Sequence, residues 1–440
     1  MRSILVVKNL MTLSAKTLLN YEQMDMLRFT TAGSVDDGKS TLIGRLLYDS
    51  KGVFEDQLEA IRKTTQKKGG EDIDFALITD GLAAEREQGI TIDVAYRYFA
   101  TAKRKFIIAD TPGHEQYTRN MVTGASMADL AIVLIDARNG VKVQSKRHGY
   151  IAKLLGIPHI VVAVNKMDLV DFKEDVFERI KDDYEKFFQE LSAQHPGRPM
   201  AGDLTFIPIS ALKGDNVTVK SAHTPWYKGK ALLDQLETIE ISKDRNMDDF
   251  RFPVQLVLRP NLDYRGFAGR MASGIAHKGQ KVVSLPSGVT STIKAIDSYE
   301  GELDEAYPPM SVTLRLTDEV DISRGDMLAY PGNEPQCENK FEAHVCWMVK
   351  EPLVLKKKYV MKLATGEVKA MVGSIQWVRD MATLEKSSAT QLNLNDIARV
   401  EVQTLKPVCF DPYSRNRATG SFILIDELSN NTVAAGMIVA

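Results

Sequence analysis

The sequence predicts an α/β domain, with a mainly parallel sheet and helices on both faces, followed by two β-barrel domains. Three observations predict it. A phosphate-loop motif, Gly33-Ser34-Val35-Asp36-Asp37-Gly38-Lys39-Ser40, stands between a strand-like and a helix-like segment, the setting that this motif requires. Up to Glu240 apolar strand runs alternate with helical periodicity, the pattern of a parallel, helix-covered sheet. Beyond Asn246-Met247-Asp248-Asp249 the helical period vanishes and short strands separated by turn residues take over, which reads as barrel. A chain of 440 residues exceeds one ordinary core and suggests about three domains. The expected divisions are an N-terminal extension over 1–24, the α/β domain over 25–245, a first barrel over 246–334 and a second over 335–440.

Met24 and Met26 lie just before the first strand, so residues 1–24 read as an upstream extension of the reading frame. The apolar run Ile4 to Val7 is cut short by Lys8 and is too brief for a signal peptide. Leu27 to Thr31 reads as the first strand and Thr41 to Tyr48 as the following helix. Glycines 33 and 38 let the backbone wrap a polyphosphate, with amides and a helix N-terminus facing the anion, while Lys39 brings a mobile charge to the β and γ phosphates. Residues Gly33 through Thr41 are therefore assigned to the phosphates, with the Ser40 hydroxyl placed for Mg²⁺.

The next strand, Lys105 to Ala109, ends in Asp110-Thr111-Pro112-Gly113-His114. Asp110 is expected to reach the metal through water, and the Gly113 amide to sense the γ-phosphate, a contact that hydrolysis breaks. His114 is the residue expected to orient the attacking water, since phosphoryl transfer needs orientation and charge stabilisation more than covalent chemistry. Upstream, Glu85-Arg86-Glu87-Gln88-Gly89-Ile90-Thr91-Ile92 supplies Thr91 as a second hydroxyl for Mg²⁺. The long excursion between Ser40 and Thr91 needs a functional reason. Lys39, Thr91, Gly113 and His114 form the expected catalytic group.

The apolar run His159 to Val164 leads into Asn165-Lys166-Met167-Asp168, at the strand end where parallel sheets bind ligands. A carboxylate accepts from N1 and the exocyclic amine of guanine, and adenine offers no such pair, so Asp168 selects GTP and GDP over adenine nucleotides. Asn165 is expected to brace the loop and meet N7, and the stem of Lys166 to cover the base. Ser210-Ala211-Leu212, after the strand Thr205 to Ile209, is expected to close the pocket with amides at the guanine O6. Long helices are expected over Phe172 to Gln194 and Lys230 to Ile241. In the first barrel the expected strands are Pro253 to Leu258, Arg270 to Ile275, Gln280 to Leu285 and Ser311 to Leu316. In the second they are Phe341 to Val349, Tyr359 to Leu363, Val368 to Val378, Ala398 to Leu405 and Ser421 to Ile425.

Taken together, the phosphate loop, G-I-T-I, D-T-P-G-H, N-K-M-D and S-A-L resemble the translation-factor class of GTPases. The runs Phe29 to Asp49, Glu85 to Phe99, Asp110 to Thr123 and Val141 to Gly156 more closely resemble the large, GTPase subunit of bacterial sulfate adenylyltransferase, over nearly the whole chain after about residue 25. That resemblance implies an elongation-factor-like architecture, GTP hydrolysis that drives formation of adenosine 5′-phosphosulfate from ATP and sulfate, and a small ATP-using, adenylyl-transferring partner subunit. One departure from elongation factor Tu is Asp37, where that factor has a histidine. An acid beside phosphate is expected to point away or to meet the partner. The alternative reading is an elongation-factor-type carrier of aminoacyl-tRNA.

Composition bears on that choice. The formal charge of −2 lacks the basic excess of proteins that grip RNA phosphates, so no nucleic acid is expected. Lys356-Lys357-Lys358 reads as a solvated charge run. No apolar run approaches a membrane span. Cys337, Cys346 and Cys409 are widely spaced and read as reduced core residues of a cytoplasmic protein. No second phosphate loop and no S-G-G-x-D loop occurs, which places the ATP chemistry in the partner.

Overall fold

In the computed structural model, residues 24–52, 59, 74–79, 91, 93–114, 117–193, 204–241, 245–261, 263–380 and 383–439 are described. The extension over 1–23 and the first-switch residues Glu85 to Ile90 lie outside them. The chain divides into two compact units, Met1–Ile241 and Ser242–Ala440.

In the first unit the sheet is made from β1 (Met26–Ala32), β2 (Ala95–Ala100), β3 (Lys105–Asp110), β4 (Leu130–Asp136), β5 (His159–Asn165) and β6 (Leu204–Pro208). Their spatial order is β2-β3-β1-β4-β5-β6. Every pairing is parallel except that of β2 with β3. β4 and β5 are buried at every position, which is why they read as unbroken apolar runs rather than alternating ones. Among the described residues the α-helices of the unit are α1 (Lys39–Asp49), α2 (Ala76–Thr79), α3 (Thr118–Ala125), α4 (Val143–Leu154), α5 (Glu174–Ala193) and α6 (Leu232–Thr238). In α5, Phe177, Ile180, Tyr184, Phe187, Phe188 and Leu191 are buried, the three-and-four spacing of a helix laid on a core. α6 is shorter than expected because Ala231 and Ile239 on either side are extended.

Parallel register is what assembles the site. Thr31 pairs with Asp110 and Asp136 with Asn165, so the carboxyl ends of β1, β3, β4 and β5 come out along one edge. That edge is the ligand-binding edge of such sheets.

The second unit holds two closed sheets. One runs 281–285, 327–329, 251–258, 266–270, 311–316, 289–298, 301–303 and closes by pairing 281–285 with 289–298. Its core includes Phe250, Phe252, Phe267, Ile293 and Leu314. The strand expected over Arg270 to Ile275 instead ends at Arg270. Four residues on, Gly274 takes φ 69° and lies against the Phe250 backbone. The other sheet runs 358–363, 421–425, 432–438, 336–347, 397–410, 366–379, 386–387 and closes through 358–363 and 366–379. Phe341, Trp347, Tyr359, Phe410 and Phe422 fill it.

The cysteine expectation needs correction. Cys337 and Cys409 are register partners on adjacent antiparallel strands, with Cα atoms 4.1 Å apart, and form a disulfide. Their separation of 72 residues hides this juxtaposition in the sequence. Only Cys346 is a buried free thiol, pushed up to about 12 by burial and by Asp396.

Candidate functional site

Gly33 to Thr41, Asp74, Ala76, Leu77, Thr91, Gly113, His114, Arg138 and Lys166 surround one cleft of about 650 Å³, with only Asp37 of the loop turned away. The loop's shape follows from its residues. Gly38 has φ 91° and precedes α1 directly, a conformation that L side chains rarely adopt. A Cβ there would also stand 2.4 Å from Asn165 Nδ2. Asn165 donates from that nitrogen to the Asp37 carbonyl at 2.8 Å, and its Oδ1 accepts the Ala211 amide at 2.9 Å. One side chain thus ties the phosphate loop to the Ser210-Ala211-Leu212 loop.

Lys39 is 8% exposed. Its ammonium lies 3.2 Å from Asp110 Oδ1 and 2.9 Å from Thr91 Oγ1, and also donates to the Thr111 carbonyl. Three expected site residues from three segments, Lys39, Thr91 and Asp110, therefore meet at one point. Gly113 is pressed onto the phosphate loop, since a Cβ on it would lie 2.0 Å from the Gly33 carbonyl oxygen. His114 lines the cleft and packs edge-on against Tyr117, centroids 6.2 Å apart.

Lys166 takes φ 62°. Its ammonium donates to the Asp36 carbonyl and lies 3.1 Å from Asp136 Oδ2, which lays its stem along the cleft. Asp168 follows in the 3-10 turn Met167–Val170 and is half-buried. Neither Asp168 nor Ser210 to Leu212 is among the cleft's lining residues. Ser210 and Ala211 are buried and Leu212 is 47% exposed.

Asp37 takes the first of its two expected courses. It is 2% exposed, its Oδ2 accepts the Ser34 amide at 2.7 Å, and Lys142 Nζ stands 3.9 Å from Oδ1. It therefore points away from the cleft and braces the loop from inside. Burial pushes its carboxyl up to about 6, against the Ser34 and Lys142 interactions. Because the folded value lies above the ordinary 3.8, the folded chain holds the proton more tightly, and stability falls as pH rises from about 4 to about 6. The difference is worth about 3 kcal/mol at most. Asp37→Asn, whose carbonyl can still accept from Ser34, should therefore stabilise the nucleotide-free chain by about 1–3 kcal/mol at pH 8, a gain that vanishes toward pH 4. Denaturant titrations at both pH values check this, and an equal effect at both would refute the titration.

Asp136 and Arg138 escaped the sequence reading. Asp136 is 2% exposed and binds Arg138 through both oxygens, at 3.1 and 2.7 Å. Burial pushes the Asp136 carboxyl up, but Arg138 and Lys166 outweigh it and hold it at about 2. The available signal was position, since Asp136 ends the apolar run of β4 as Asp110 ends β3.

This sheet, loop set and cleft define a nucleotide-binding domain of the translation-factor GTPase class. The Elongation factor Tu GTP binding domain profile matches residues 24–254, and the GTP-eEF1A C-terminal domain-like profile matches residues 340–439. Within that class the chain belongs to the sulfate adenylyltransferase subunit 1 family. The protein of that name from Alteromonas mediterranea is 57% identical over 96% of this chain and 88% of its own length. Those from Bacteroides fragilis and Aliarcobacter butzleri are 58% and 56% identical, covering 95% and 96% of this chain and 87% and 89% of their own. A solved structure of sup35 complexed with GDP aligns over 95% of this chain and 94% of its own at 24% identity, but with a TM-score of 0.43, too loose to bear on the site. Among the described residues no helix is long and apolar enough to cross a membrane.

Proposed function

We propose that this chain is the GTP-hydrolysing subunit of a cytoplasmic sulfate adenylyltransferase, and that its hydrolysis drives a small ATP-using, adenylyl-transferring partner to form adenosine 5′-phosphosulfate. The observation that carries the reading is the convergence of Lys39, Thr91, Gly113 and His114 on one cleft, with Asp110 paired to Lys39 behind it, in a chain 57% identical to a sulfate adenylyltransferase subunit 1. In this reading Gly33 to Thr41 wrap the phosphates and Asp168 accepts from guanine. Asn165 braces the two loops, Lys166 covers the base, and the Ser210 to Leu212 loop, which Asn165 holds through the Ala211 amide, closes the pocket at the guanine O6.

The donors gathered here also suit Mg²⁺. The Ser40 and Thr91 hydroxyls and the Asp110 carboxylate are oxygen ligands, as a hard cation requires, and Lys39 already places a cation between the last two. A bound Mg²⁺ would neutralise charge on the β and γ phosphates. Asp110 would serve it through water. Drawn to the phosphates, Lys39 would release Thr91 and Asp110, which links the first switch to occupancy of the site. His114 would orient water, and the Gly113 amide would report the γ-phosphate.

Joining sulfate to AMP is strongly uphill, so coupling needs a partner that distinguishes the GTP from the GDP form. The first switch and the segment Glu115 to Asn120 are the proposed contact, with Glu115 and Gln116 outside the described residues. The test is GTP hydrolysis by the chain alone and with a candidate adenylyl-transferring subunit, with and without ATP and sulfate. Stimulation that requires the partner and its substrates is expected. His114→Ala should keep GTP affinity within about threefold while losing about 10²–10³ in rate, the scale of one lost positioning or charge-stabilising group. Indifference to partner, ATP and sulfate would move the assignment to a tRNA carrier, and unchanged hydrolysis in the His114 variant would remove that residue from the mechanism.

A further inference from the structure

The first turns of α4 carry Gln144, Arg147 and His148, which belong to none of the nucleotide motifs; Gln144 and His148 face the Gly113 backbone, and Arg147 reaches Gln144. Gln144 Nε2 donates to the Gly113 carbonyl at 2.7 Å and lies 3.2 Å from His148 Nε2. Arg147 Nη1 donates to Gln144 Oε1 at 3.1 Å. A guanidinium only donates, so Arg147 fixes which end of the amide is oxygen. The nitrogen must then face Gly113. His148 is 1% exposed, and burial together with Lys39 and Arg147 pushes it down to about 3, so a neutral ring packs beside that carbonyl.

Gly113 is thus gripped from two sides. The phosphate loop presses on its Cα with no space for a side chain, and Gln144 holds its carbonyl. A carbonyl fixed at this point sets the plane of the Gly113–His114 peptide, and with the Cα also held by the phosphate loop it limits rotation of the preceding Pro112–Gly113 peptide, which carries the Gly113 amide.

We infer that Gln144 is a positioning residue that fixes the backbone of Gly113, and with it the amide aimed at the γ-phosphate, and thereby sets how well the chain distinguishes GTP from GDP. The inference rests on the reading of Gly113 as the γ-phosphate sensor. GDP has no group to reach Gly113, so loss of this bond acts on GTP alone. One neutral amide–carbonyl bond changes an equilibrium by about three- to tenfold.

Two substitutions separate the donor from its packing. Gln144→Glu keeps the shape and the Arg147 partner but cannot donate, and Gln144→Ala removes both. Affinities for GDP and for a non-hydrolysable GTP analogue are measured on the full chain by calorimetry, with single-turnover GTP hydrolysis alongside. Both variants should lose about three- to tenfold in analogue affinity and slow in hydrolysis. GDP affinity should stay within about twofold, which also reports an intact fold. Parallel loss for both nucleotides, or no loss for either, overturns the inference while leaving the GTPase reading intact. Absence of guanine-nucleotide binding by the unsubstituted chain overturns both.

Discussion

Asp168→Asn should convert the chain from a guanine to a xanthine nucleotide binder. The turn that carries Asp168 is held tightly, with Met167 fully buried, its amide donating to the Ile209 carbonyl at 3.2 Å and its carbonyl accepting from Phe172 at 2.9 Å. Residue 168 therefore presents its side chain from a fixed platform, and the exchange of one oxygen for an NH₂ leaves that platform unchanged. The carboxylate can accept two hydrogen bonds from guanine, and charge-assisted bonds of this kind are the strong ones. With asparagine, the NH₂ faces the exocyclic amine of guanine, so a bond is lost and two donors are opposed. The expected loss is about 3–4 kcal/mol, or roughly 10²–10³ in GTP affinity. Xanthine carries a carbonyl at the same position and pairs with the new amide, so xanthosine triphosphate should gain what GTP loses. Sites built on hydrogen bonds discriminate steeply for this reason. Competition of GTP, xanthosine triphosphate and ATP for the wild-type and substituted chains checks it. GTP affinity within threefold of wild type in the variant would remove Asp168 from base recognition.

What was legible in the sequence was contiguous. The phosphate loop, D-T-P-G-H and N-K-M-D each lie at the end of a strand whose apolar run announces it, and β1, β3 and β5 fall within a residue or two of their expected spans. The register of a parallel sheet then brings the motifs together without further information. What stayed hidden depends on contacts between segments distant in sequence. Gln144 matters only because α4 begins beside Gly113. Asp136 matters because Lys166 folds back onto it. Cys337 and Cys409 meet only through the register of two long strands. The strand over 289–298 was missed for another reason: Val289-Thr290-Ser291-Thr292 begins it with mostly polar residues, of which only Ser291 is buried, so period-two patterning is weak where the strand starts.

The largest expected loss of stability lies away from the cleft, at Arg251. Its side chain is fully buried between the two closed sheets of the second unit. There it makes a bidentate pair with Asp411, Nη2 to Oδ1 and Nε to Oδ2 at 2.9 Å each, and its Nη1 donates to the carbonyls of Phe250 and Asn333. Thr419 also donates to Asp411 at 2.7 Å. Arg251→Ala leaves the Asp411 carboxylate buried with that hydroxyl in place of a guanidinium, and it strands two carbonyls. Breaking a buried pair from one side costs about 3–5 kcal/mol, a large share of a typical total of about 5–15 kcal/mol. Asp249 and Arg415 give the contrast. Their bonds are shorter, 2.6 Å through Nε and Nη2, but the Arg415 side chain is 58% exposed. Water replaces much of what Arg415→Ala removes, and the expected cost is about 1 kcal/mol or less. Distance alone ranks the two pairs the wrong way, and burial decides. Replacing both partners, as Arg251→Met with Asp411→Leu, should recover most of the loss because no charge remains buried. Denaturant unfolding of the four proteins tests the ranking. A smaller loss for Arg251→Ala than for Arg415→Ala would show that the junction between the sheets is held by its apolar contacts rather than by this ion pair.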